Sequence, residues 1–202
     1  MDARAPIQFW FDFSSPYSYI ASEWIEALAA RHGRTVRWHA ILLGVTFAAA
    51  ELKSPVSHPL KREYAFRDFE RSARFEGVPL AIPAEFPIPT LNAARLFWWL
   101  NESDPVRAAA WAHAGLRAYF ARGVMLSDPQ ALKRLALEFG LDADRAEAAW
   151  NDPRVKAMLK AANDQAVAAG VFGAPYCIVD GEPFWGNDRK PQIERWLSKG
   201  PF

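Results

Sequence analysis

The chain contains a single cysteine, Cys177, in 202 residues. One thiol excludes an internal disulfide and a paired-cysteine redox centre. An excess of charge of either sign is also missing: 24 Lys and Arg face 23 Asp and Glu, a net charge of +1. Without a basic stripe or a block of like charge, neither nucleic acid nor an anionic membrane surface is an expected partner. No uninterrupted apolar run reaches the roughly 18 residues of a membrane-spanning helix. The start, "MDARAPIQFW", lacks the basic flank, apolar stretch and small-residue cleavage site of a secretory leader. A soluble, cytoplasmic protein is the expectation. The four histidines are scattered, with no pair at metal-binding spacing, so no metal is expected. There is no glycine-rich phosphate loop, no internal repeat and no low-complexity tract.

What is abundant is apolar and aromatic. Hydrophobic residues make up 51% of the chain, with nine Trp and fourteen Phe, enough for a core that needs no disulfide or metal. The length suits one large domain or a small one carrying an insertion. "IQFWFDF" is short, aromatic and β-prone and predicts a buried strand. In the following stretch Ile20, Ala21, Trp24, Ile25, Leu28 and Ala29 share one helical face, and Gly33 is a natural stop. "TVRWHAILL" reads as a second strand, parallel to the first across a right-handed crossover.

The middle changes character. Helical periodicity runs through "LKREYAFRDFERSARFEG", "TLNAARLFWWLNES", "PVRAAAWAHAGLRAYFARG", "DPQALKRLALEFG" and "DPRVKAMLKAANDQAVAAG". Ser127 or Asp128 ahead of Pro129, and Asp152 ahead of Pro153, predict capped, proline-led helix starts. "VPLAIPAEFPIP" carries four prolines and reads as a rigid extended loop. The end returns to β: "APYCIVDGEPFWG" is a hairpin turning at Asp180-Gly181. A last helix follows, with Asn187 or Asp188 expected at its cap and Ile193, Trp196 and Leu197 inward. The predicted order is β-α-β, a helical block, then β-β-α. The boundaries fall at 1–44 and 171–202 for the sheet-bearing part and 45–170 for the helical part.

Three constellations can carry chemistry. Ser15, in "SSPYS", stands at a strand-to-helix turn where first-turn amides and the helix dipole favour negative charge. A hydroxyl there does not ionise at neutral pH, but it can donate to an anion supplied by a ligand; it can equally be only a helix cap before Pro16. Ala174-Pro175 opens a strand, in cis or in trans; facing Ser15, the Ala174 backbone would pair with an extended peptide. Asn187 and Asp188 are either capping residues or a site for an amino-acid end, with amides for a carboxylate and Asp188 for an ammonium. His39, His113 and Cys177 read as structural. Trp98 and Trp99 read as core, with one of the two adjacent rings free to line a pocket.

In this order, "FDFSSPYSYIAS", "HPLKREY", "FPIPTLNAAR" and "GVFGAPYCIVDGEPFWGNDR" resemble the 2-hydroxychromene-2-carboxylate isomerases, which group with kappa-class glutathione transferases and DsbA-type proteins. The resemblance spans nearly the whole chain. It implies a thioredoxin fold interrupted by a large all-helical insertion, a homodimer, and glutathione as cofactor. By it, Ser15 holds the glutathione sulfur, Ala174 and a cis Pro175 pair with the cysteinyl backbone, Asn187 and Asp188 take the γ-glutamyl end, and Lys61 meets the glycine carboxylate. Tyr17 and Lys61 are the candidate substrate contacts. The implied reaction is cis-trans isomerisation of hydroxybenzylidenepyruvate-type aromatic keto acids by reversible thiolate addition. The alternatives are a kappa-like transferase releasing a stable conjugate and a redox-inactive binding module. The chain departs from the family where an Asn is common: near Leu52-Lys53, and at Pro89.

Overall fold

The computed structural model describes residues 5–202; the first four, part of the N-terminal reading above, lie outside the described residues. The chain opens with β1 (Ile7–Phe11), α1 (Pro16–Arg31) and β2 (Val36–Ala40). Helices follow: α2 (Leu43–Ala49), α3 (Pro59–Glu76), α4 (Leu91–Asn101), α5 (Pro105–Arg122), α6 (Pro129–Glu138), α7 (Ala143–Asn151) and α8 (Pro153–Ala168). The chain closes with β3 (Tyr176–Val179), β4 (Glu182–Trp185) and α9 (Lys190–Lys199). The sheet order is β2-β1-β3-β4. β1 and β2 run parallel with Phe9 beside Trp38; β3 runs antiparallel to β1 with Cys177 beside Phe9. This is a thioredoxin fold with helices inserted between β2 and β3.

Local chemistry explains the element ends. Asp104, Asp128, Asp142 and Asp152 each accept a first-turn amide at a helix start, and all but Asp142 are followed by proline. The β3–β4 turn places Asp180 at φ 54° and Gly181 at φ 90°, the left-handed pair that a two-residue hairpin requires. The buried Arg34 guanidinium fixes that turn with two bonds to Asp180, at 2.7 and 3.2 Å.

One core joins the sheet to the helices. Phe9 and Phe11 stack at 6.0 Å, Trp38 meets Phe9 edge-on at 4.8 Å, and Phe97 of α4 meets Phe11 at 5.5 Å. Each fully buried Phe contributes on the order of 2–3 kcal/mol. α5 lies close over the end of β1 because Gly115 has no side chain: a Cβ there would stand 2.6 Å from the Phe13 ring.

Three expectations change. The second strand ends at Ala40 rather than continuing through Leu43, because the Leu43 amide turns away to bond the Asp12 carboxylate and starts α2. α2 and α7 went unpredicted; both are short, and α2 has no side-chain cap. The last helix is not capped by Asn187 or Asp188: residues 187–189 form a 3₁₀ turn without a side-chain cap, and α9 starts at Lys190. Among the described residues no helix is long and apolar enough to cross a membrane.

Candidate functional site

Where β1 gives way to α1, a buried carboxylate organises the chain. Asp12 is 4% exposed. Its Oδ1 accepts from the Ser14 amide at 2.6 Å and the Thr90 hydroxyl at 3.1 Å, and its Oδ2 accepts from the Leu43 amide at 2.6 Å. Burial pushes its pKa up while these three donors pull it back. One side chain thereby ties the turn to the start of α2 and to the end of the proline-rich loop. Ser14 adds a second tie, accepting the Ile88 amide at 3.1 Å.

The next serine faces the other way. Ser15 is 3% exposed and caps α1 with extended backbone, φ −101° and ψ 113°. Its Oγ accepts from the Ser18 amide at 3.1 Å and donates to the Ala174 carbonyl at 3.0 Å. The Ala174–Pro175 bond is cis, and the Pro175 carbonyl accepts from Gly186 at 3.0 Å. Ser15, Ala174 and Pro175 therefore come together, although 159 positions separate Ser15 from Ala174. Gly173, just ahead, lets Trp185 approach: a Cβ there would stand 2.5 Å from the indole Nε1. Ser18 is fully buried, and its hydroxyl has no hydrogen-bond partner among the described residues. The turn holds three serine hydroxyls, on Ser14, Ser15 and Ser18, and no thiol. Cys177 lies buried in β3, and desolvation pushes its pKa up to about 12, so it supplies no thiolate at neutral pH.

The remaining candidates lie on α1, α3, the 3₁₀ turn before α9 and the connecting loops. Tyr17 donates to Asp68 of α3 at 2.5 Å and rests edge-on against Phe69 at 5.0 Å. Burial and the Asp68 carboxylate push the phenol upward, so it stays a neutral donor. Lys61 is exposed and lies two helical turns before Asp68 on the same side of α3. Asn187 is 6% exposed and its Oδ1 accepts from Trp24 of α1 at 2.8 Å. Asp188 is exposed, pairs with Arg189 at 2.8 Å, and contributes to the upward shift of Tyr17. Leu52 and Lys53 are exposed, as is Pro89 in the loop.

The residues read as structural behave that way. His39 stacks on Trp10 at 4.1 Å and contacts Gln8 at 2.7 Å; burial lowers its pKa to about 4. His113 contacts Glu26 at 3.3 Å. Trp98 donates to the Ala40 carbonyl at 2.9 Å, whereas Trp99 lines a cavity of about 510 Å³ with Arg107 and Arg145. A second cavity, about 490 Å³, lies between α1 and α5 beside His113 and Arg117. Neither cavity includes Ser15, Ala174 or Pro175.

Asp12, Ser14, Thr90 and Asp68 were missed from the sequence. Asp12 had a local signal, since Asp commonly accepts from the amide two residues on. The reach of Thr90 and Asp68 into the site is a long-range contact with no local trace.

A family model described as the DSBA-like thioredoxin domain matches residues 6–198. The chain is 34% identical over 193 residues to a 2-hydroxychromene-2-carboxylate isomerase of Sphingobium xenophagum, covering 95% of this chain and 97% of the relative. It is 28% identical over 223 residues to glutathione S-transferase kappa 2 of Caenorhabditis elegans, covering 100% of this chain and 97% of the relative. Among solved structures it is similar to a selenomethionine form of a 2-hydroxychromene-2-carboxylate isomerase, with a TM-score of 0.86, 26% identity, and coverage of 96% and 94%.

Proposed function

The chain belongs to the DSBA-like thioredoxin domain family, in the group of 2-hydroxychromene-2-carboxylate isomerases and kappa-class glutathione transferases, and from that premise we propose that it is a glutathione-dependent cis-trans isomerase of hydroxybenzylidenepyruvate-type aromatic keto acids. One observation carries this reading: a buried hydroxyl at a helix start, 3.0 Å from the Ala174 carbonyl and beside a cis proline, in a turn without a thiol.

The residues fit glutathione. Ser15 would hold the sulfur, Ala174 and Pro175 the cysteinyl backbone, Asn187 and Asp188 the γ-glutamyl end, and Lys61 the glycine carboxylate. When bound, glutathione supplies the thiolate nucleophile for reversible addition to a conjugated double bond. The protein's part is to steady charge. With no cysteine in the turn, the Ser15 hydroxyl can donate to a borrowed anion but cannot itself enter a disulfide cycle. The Ser15–Ala174 bond is an internal stand-in. A ligand that accepts the Ser15 proton releases the Ala174 carbonyl to accept from the ligand's own amide. First-turn amides and the helix dipole add to the stabilisation of a sulfur anion. Lys61 is a candidate cation for substrate carboxylate or enolate charge, and Tyr17, which stays neutral, would donate to substrate only by exchanging its bond to Asp68.

The test is an ultraviolet assay with benzylidenepyruvate-type compounds, with and without glutathione, with free thiol counted at the end. Isomerisation that needs glutathione and leaves it undiminished supports the reading; isomerisation without glutathione overturns it. Consumption of one glutathione per substrate supports the kappa-like transferase reading, which the C. elegans relative favours. Calorimetry without any heat at millimolar glutathione favours a binding module that has lost this chemistry.

A further inference from the structure

The two adjacent tryptophans of α4 have different surroundings. Trp98 donates to the Ala40 carbonyl at 2.9 Å. Trp99, half-buried, walls the cavity of about 510 Å³ at the far end of the helix. That volume falls within the roughly 300–1,000 Å³ of small-molecule sites. The length of α4 separates it from the Ser15 corner. Thr90 at the helix start bonds Asp12, and Trp99 stands about 14 Å farther along the axis. The proposed reaction makes no use of this cavity.

Its lining combines apolar surface with charge. Leu100 and Leu141, 5% and 8% exposed, add to the Trp99 ring. The charged groups are two arginines and three carboxylates, and they are not equally engaged. Glu102 is paired with Arg154. Asp104 and Asp142 cap α5 and α7, accepting the Arg107 amide at 2.9 Å and the Arg145 amide at 2.8 Å. The two helix starts are thus occupied by the chain's own aspartates, and any further anion must be met by side chains. Arg107 gives one N–H to the Gly140 carbonyl at 3.1 Å and lies 6.0 Å from the Phe139 ring. Among the described residues the Arg145 guanidinium has no acceptor, and neither has the Trp99 indole N–H. Both arginines are exposed, so the mouth is open to solvent. A guanidinium carries five N–H donors and no acceptor, so donors are in surplus here. Its planar fork matches a carboxylate, and an indole ring matches a flat aromatic body.

We propose that this cavity is a second ligand site, one that takes a planar aromatic carboxylate. The ring lies against Trp99, and the carboxylate accepts from the Arg145 and Arg107 guanidinia. This assignment does not rest on the glutathione-dependent reading.

Proton–nitrogen NMR of the purified chain tests it through the tryptophan indole peaks, the Trp99 peak being identified by its loss in Trp99→Phe. Titration with 2-naphthoate should move that peak along a saturable curve with a midpoint of about 0.1–1 mM. The alcohol and the ammonium on the same ring, 2-naphthylmethanol and 2-naphthylmethylammonium, should bind at least about tenfold more weakly, because neither brings an anion to the arginines. Arg145→Gln should raise the naphthoate midpoint about tenfold or more, with the other indole peaks still dispersed as the check on folding. Arg145→Lys should recover part of that loss, since the charge is kept and the fork is not. Ser15→Ala should leave the midpoint unchanged, which keeps this site apart from the proposed reaction. A Trp99 peak that naphthoate at about 10 mM does not move overturns the proposal, and so does a midpoint indifferent to Arg145→Gln. Tighter binding of the ammonium would assign the cavity to cations through its carboxylates and overturn it equally. Inorganic phosphate acting at the same midpoint as naphthoate would overturn the aromatic assignment.

Discussion

The two sides of the candidate site are built differently. On the β1–α1 side, Asp12, Ser15, Asn187 and Ala174 are 4%, 3%, 6% and 8% exposed, and each is held by a hydrogen bond to another segment. On the other side, Lys61 and Asp188 stand in solvent on an open helix face and a 3₁₀ turn. Fixed donors in a water-poor corner stabilise developing charge strongly and need no reorganisation. Exposed charges are screened and contribute modestly. On the proposed reading, the closed side would chiefly set rate and the open side would chiefly adjust affinity.

Ser15→Ala should break the contrast most. Turnover is expected to fall by about a hundredfold to a thousandfold, while glutathione affinity by calorimetry changes by less than about tenfold. Equal losses in both would reduce Ser15 to a binding residue. Asp12→Ala should come next. It strips the acceptor from Ser14, Leu43 and Thr90 at once, and urea unfolding should show a loss of about 3 kcal/mol. Asp12→Asn should recover part of it, because its single carbonyl oxygen can still accept.

A pH titration of stability sharpens the closed side further. Burial lowers the His39 pKa from 6.5 to about 4. The folded state thus binds this proton less readily than the unfolded chain. Its contribution is fully present above about pH 6.5 and is lost as pH falls toward about 4, on the order of 2–3 kcal/mol. Urea midpoints taken across that window should slope for the unmodified chain and flatten for His39→Gln. The smallest effect belongs to the open side. Lys61→Ala should raise KM for glutathione by about threefold to tenfold with kcat within about twofold, and the difference should shrink as salt is added.

Much of this contrast was legible in the sequence, and its limits are physical. β1, the hairpin at Asp180-Gly181 and the proline-led helices with aspartate caps follow from periodicity and turn chemistry that act over a few residues. The isomerase resemblance implied one site for Ser15 and Ala174-Pro175, and in the structure Ser15 donates to the Ala174 carbonyl at 3.0 Å. What stayed hidden depends on partners far along the chain. Leu43 reads as strand until Asp12 claims its amide. Asn187 reads as a cap until Trp24 claims its oxygen. Tyr17 reads as a substrate contact until Asp68 of α3 accepts its hydrogen bond. Polar side chains choose among several acceptors, and packing makes the choice.

The central claim is that the Ser15 corner stabilises a sulfur anion it does not own. The direct measurement is the pKa of the thiol of bound glutathione, followed by its ultraviolet thiolate band, in the unmodified chain and in Ser15→Ala. The account predicts a value below the ordinary thiol range of about 8.5 in the unmodified chain and a return toward that range in the variant. The same pKa in both proteins would contradict it.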